Sequence, residues 1–136
     1  MAALTAEVRQ LRLAVEEFAR TQAETQALSA YLAARQGRLM QTTQQLDAVR
    51  KEIDATIANT RDMEQQLAQI SRELSSATGA HRAAIETGMR ATEAERSRLE
   101  LELQRIRARE NDLSRTLAVE EDRWADALSR MERLTQ

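Results

Sequence analysis

The chain has 136 residues, 31% of them charged and 2% aromatic, with no proline, no cysteine and a formal net charge of −2. The lack of cysteine excludes a disulfide framework, a thiolate nucleophile and a thiolate metal site. Near-neutral, evenly mixed charge gives no electrostatic footprint for nucleic acid or anionic lipid, so neither is expected as a partner. Good helix formers (Ala, Leu, Glu, Arg, Gln) dominate, which is the composition of coiled coils and long helices. Sustained apolar periodicity with so small a net charge argues against disorder. No run of about 18 apolar residues occurs, so no membrane span is expected. Residues Met1 to Glu7 lack a basic n-region followed by an apolar stretch, so a cytoplasmic location is expected.

The first predicted element is an amphipathic helical extension over residues 1–27. Leu4, Val8, Leu11, Val15 and Phe18 alternate at spacings of four and three, which lines them along one stripe. The same register then meets Gln22, Thr25 and Ser29, which are poor seam residues. Apolar periodicity resumes at Leu28, out of phase by three residues. Such a slip is a stammer, which overwinds a coiled coil or marks the end of one packing partner.

The second predicted element is a coiled-coil arm over 28–77. Its seam is Leu28, Leu32, Arg35, Leu39, Thr42, Leu46, Val49, Ile53, Thr56, Thr60, Met63, Leu67, Ile70, Leu74 and Ala77. A cluster of backbone-competing side chains follows, Ser75, Ser76 and Thr78, with Gly79 suited to a left-handed cap. This is the best break in the chain, and it predicts a turn over 78–84. The second arm, 85–136, has the seam Ile85, Met89, Thr92, Arg96, Leu99, Leu103, Ile106, Glu110, Leu113, Leu117, Glu120, Trp124, Ala127, Met131 and Leu134.

The predicted fold class is therefore all-α, a long antiparallel helical hairpin or coiled coil. A continuous parallel coiled-coil rod with one skip is the alternative, and another kind of bundle is a third arrangement. Antiparallel pairing around residues 75–84 sets Leu74 against Ile85, Ile53 against Ile106, Leu46 against Leu113 and Leu28 against Met131. It also brings Arg35 to Trp124, a potential cation–π contact, and Met63 to Arg96. Glu52 meets Arg109, whereas Arg50 approaches Arg107 and Glu64 approaches Glu93. The hairpin accounts for the stammer as well: the second arm runs out opposite Leu28 and releases 1–27 to use another face.

Arg107 to Leu113 (Arg-Ala-Arg-Glu-Asn-Asp-Leu), followed by Leu117 to Trp124 (Leu-Ala-Val-Glu-Glu-Asp-Arg-Trp), carry a resemblance. Residues 99–134 resemble the second helix of uncharacterised bacterial helical-hairpin coiled-coil proteins. The resemblance implies a hairpin and no particular activity.

No residue pattern points to catalysis, and the chain is not expected to be an enzyme. His81 is the sole histidine and lacks the paired Glu-x-x-His motifs of a di-iron bundle, so it reads as a solvated turn residue. The pairs Glu16-Glu17 and Glu120-Glu121 read as solvated helix faces, because shifted carboxylates need burial that a thin rod does not supply. Gly37, Gly79 and Gly88 are isolated and form no phosphate loop. Arg96, Arg98, Arg105, Arg107 and Arg109 interleave with Glu95, Glu100, Glu102 and Glu110, a pattern of helix-surface ion pairs. No cofactor or metal is expected. The expected role is a structural coiled coil that forms a homo-oligomer, a dimer or small bundle. The alternative is an adaptor docking a larger assembly through 1–27. Leu4, Val8, Leu11, Val15 and Phe18 are the candidate protein-interaction residues. The Leu4–Phe18 stripe and outer apolar positions such as Ile57 and Leu101 have no partner within one hairpin.

Overall fold

A computed structural model describes residues 2–136, which form two α-helices: α1, Ala2–Ser76, and α2, Gly79–Thr135. The two long helices pack against each other as a hairpin, with no strand among the described residues. A chain without proline offers no obligatory helix breaker, and α1 runs unbroken through the stammer at 18–28. The packing divides into two compact units, each containing part of both helices: residues 43–115, and residues up to 42 together with 116–136.

The unit 43–115 contains the turn. It is narrower than the expected 78–84: only Ala77 and Thr78 lie between the helices, and residues 79–84 are already helical. The chemistry of the break is the expected one. Ser75 Oγ donates to the Arg72 carbonyl (2.6 Å) and Ser76 Oγ to that of Glu73 (3.2 Å), so hydroxyls satisfy carbonyls at the end of α1. Gly79 takes the left-handed region at φ 63°, which costs a residue without Cβ nothing sterically. Arg82 N–H then donates to the Thr78 carbonyl at 3.4 Å, opening α2. The turn is short because Ala77, Thr78 and left-handed Gly79 reverse the chain, and residues 80–84 continue as helix.

The core of this unit is Val49, Ile53 and Ile106, with Ile57, Leu103 and Leu113 packed against it. Ile53 and Ile106 thus meet as the antiparallel register requires. Ile57 is a correction: it was expected to be an outer apolar residue, but it flanks the seam and packs onto this cluster. Leu101 stays outside at 64% exposure. The seam tolerates threonines because their hydroxyls return to their own helix. Thr56 donates to the Glu52 carbonyl, Thr60 to that of Thr56 and Thr92 to that of Gly88, at 2.8–3.0 Å. Arg50, expected to approach Arg107, has an anionic partner. Its Nε lies 3.5 Å from Glu110 on the opposite helix, since a flexible stem turns the guanidinium toward the nearest carboxylate.

In the other unit, Leu32 and Ala127 are buried and Leu39, Leu117, Met131 and Leu134 are half-buried. Across both units, every residue of the two predicted seams from Leu28 to Leu134 is buried or half-buried. A thin two-helix layer shields one stripe of each helix and leaves the rest in water.

Candidate helix-docking site

The unit containing both chain ends holds two features that the hairpin seam alone does not explain. The first is a polar cluster inside the seam. Arg35 Nη1 donates to both oxygens of Glu120, at 3.1 and 2.9 Å, and their side chains retain only 14% and 9% exposure. Arg123 adds a second cation 3.5 Å from Glu120 Oε1. The Arg35 guanidinium lies 4.9 Å from the centre of the Tyr31 ring. Hydrogen bonding to Glu120, and then to Tyr31, raises the Arg35 pKa further above its already high value.

Two expectations are corrected here. Arg35 stacks on Tyr31, four residues back on its own helix, and not on Trp124 across the seam. Glu120 is not on a solvated face but buried and ion-paired. Both follow from one cause. Glu120 occupies a seam position where an unpaired carboxylate would be expensive, and Arg35, reaching about one turn along the hairpin, is the cation able to enter the same layer. Trp124 is half-buried, while Glu121, Glu16 and Glu17 are exposed as expected.

The second feature is the face of α1 beyond the end of α2. Leu4, Val8, Leu11, Val15 and Phe18 are 64%, 59%, 66%, 58% and 69% exposed. They share one helix face, as their spacing requires. Shielding on α1 begins at half-buried Thr21, Thr25 and Leu28 and deepens at buried Leu32. Where α2 ends, Glu24, Ala27, Leu28, Tyr31, Arg130, Arg133 and Leu134 line an open cleft of about 710 Å³. The extension therefore presents about four turns of preformed helix with an uncovered apolar stripe. Nearby charges are small in effect: Arg12 Nε sits 3.1 Å from Glu16 Oε1 in an exposed pair.

The remaining candidates fall elsewhere. His81 is exposed in the first turns of α2. Among the described residues no cluster of three or more potential metal ligands occurs, and no helix is long and apolar enough to cross a membrane. The arginine-rich stretch forms local ion pairs, as its interleaving predicts. Arg98 bonds Glu95 at 2.6 Å and Glu102 at 3.3 Å, and Arg96 approaches Glu100 at 3.7 Å. The Arg98 hydrogen bonds hold the Glu95 carboxyl below its ordinary pKa. No protein family, curated protein or solved structure matches the chain.

Proposed function

We propose that this protein is a non-catalytic structural coiled coil that works by helix–helix packing and self-associates as a dimer or small bundle. One observation carries the reading. The hairpin shields every seam residue, yet five large apolar side chains on one face of α1 remain 58–69% exposed. A contiguous uncovered stripe of that size marks an interaction surface. The non-catalytic part is supported by the chemistry available: the one buried carboxylate among the described residues, Glu120, is paired with Arg35 in the seam and with exposed Arg123 beside it.

Sedimentation equilibrium over a range of protein concentrations tests the reading. Reversible self-association at roughly tens of micromolar protein is expected. A well-folded monomer throughout that range would overturn it. The stripe would then have to serve a different protein, as an adaptor docking through residues 1–27.

A further inference from the structure

We infer that the occupant of the Leu4–Phe18 stripe is the same stripe of a second copy, paired parallel and in register as a short two-stranded coiled coil. The inference rests on the self-association reading and adds the surface, orientation and register.

Spacing and side-chain shape carry the first step. Leu4, Leu11 and Phe18 occupy position d of the local heptad, and Val8 and Val15 occupy position a. β-branched residues at a with Leu at d favour two parallel strands. Gln22, the next a position, is a polar residue of the kind that limits register at the end of a zipper.

Charge selects the orientation. Glu7 falls at position g and Arg12 at the following e. In a parallel in-register pair these face each other twice, Glu7 of each copy beside Arg12 of the other. In the antiparallel register that sets Leu4 against Val15 and Val8 against Leu11, Phe18 has no apolar partner in the stripe, Glu7 faces Ala14 and Arg12 faces Thr5, so both ion pairs are lost. Sliding that arrangement by one heptad sets Arg12 against Arg12 or Glu7 against Glu7. The Arg12–Glu16 pair within one chain is no obstacle, because its partners are 79% and 59% exposed and easily shared.

The structure leaves room for the second helix. The three-residue slip rotates the stripe about 60° around α1 from the hairpin seam. The end of α2 lies beside Glu24 and Leu28, beyond the last residue of the stripe. Pairing therefore requires no displacement of α2. Because the extension is already helical, pairing also avoids the nucleation cost that makes two-heptad zippers unstable as isolated peptides.

The chain has no cysteine, so single-cysteine variants of the full chain report the geometry directly. Leu4→Cys, Leu11→Cys and Phe18→Cys are each equilibrated in a glutathione buffer, with Arg9→Cys as the outward-facing control. Disulfide-linked dimers at all three d positions, with none at residue 9, are the expected result. An antiparallel pair brings at most one of these positions to its two-fold axis. Linkage at one position or none, in a protein that sedimentation shows to be dimeric, overturns the parallel stripe and leaves self-association standing. A monomer in sedimentation overturns both. Charge exchange gives a second readout. Glu7→Arg and Arg12→Glu should each weaken self-association several-fold, and mixing the two variants should restore it as a heterodimer. Failure of the mixture to associate better than either variant alone would overturn the Glu7–Arg12 pairing.

Discussion

Glu120 sits where a carboxylate is worth keeping only if it stays paired. Its cost in the seam is desolvation, and its compensation is the Arg35 guanidinium with Arg123 alongside. Removing one partner strands the other, whereas removing both and substituting apolar volume avoids the penalty. Arg35→Met is therefore expected to lower the melting temperature clearly. Glu120→Leu should lower it less, because Arg35 keeps Tyr31 and an outlet to water. The double variant should melt within about 2 °C of the unmodified chain, or above it. Thermal denaturation by circular dichroism checks this; a double variant less stable than Arg35→Met would show that the pair itself stabilises the hairpin. Glu95 supplies a pH test with a defined sign. Its folded pKa is depressed by Arg98, so its contribution to stability is present above the ordinary carboxylate pKa and is lost as pH falls through the folded value. A carboxyl NMR titration should place the Glu95 midpoint below that of an unpaired glutamate, and Arg98→Gln should return it. The Glu120 pairing was not legible in the sequence. A heptad register states which Cα atoms stand opposite, and by that measure Arg35 faces Trp124. The arginine stem spans about a helical turn, so where its charge settles depends on the nearest anion and ring, here Glu120 and Tyr31.

At the scale of the element, three glycines in one helical chain do two different things. Gly37 and Gly88 lie inside helices with nothing within 4 Å of an added Cβ, so they only enlarge the entropy of the unfolded chain. Gly37→Ala and Gly88→Ala are each expected to stabilise by about 0.5–1 kcal/mol. Gly79 is equally uncrowded, but its φ of +63° is the turn itself. Gly79→Ala should destabilise by about 1–2 kcal/mol, the cost of forcing an L-residue left-handed. Chemical denaturation of the three variants measures both signs, and a stabilising Gly79→Ala would mean that the turn relaxes to another geometry. The hairpin was legible because the two seams hold phase on either side of a cluster rich in hydroxyls and ending in glycine. The extent of the turn was not. Phase can be read only where apolar residues recur, and Ala80, Ala83 and Ala84 propagate a helix without marking a seam. Ile57 escaped for the related reason that a binary pattern does not separate a residue flanking the seam from one on the far face.

For the whole molecule, the decisive contrast lies between two leucines on α1. Leu46 is 4% exposed in the hairpin seam, and Leu11 is 66% exposed on the extension. Leu46→Asp buries a charge without a partner, and it should cost at least about 3 kcal/mol at any protein concentration. Leu11→Asp places its charge in water in the single chain, so at high dilution it should melt close to the unmodified protein. The two proteins should then part company as concentration rises. If a second copy covers the stripe, association stabilises the folded state by mass action, and a hundredfold excess over the dissociation constant adds about 2.7 kcal/mol. The unmodified chain should accordingly gain about 5 °C or more in melting temperature across that range. Leu11→Asp should gain none, because the aspartates would face each other in the centre of the zipper. Melting curves at several concentrations check this without any partner in hand. A concentration-independent melting temperature for the unmodified chain would remove the second copy from the stripe. Parallel concentration dependence in both proteins would move the self-contact to another surface, with exposed Leu101 in the unit 43–115 the next to be altered.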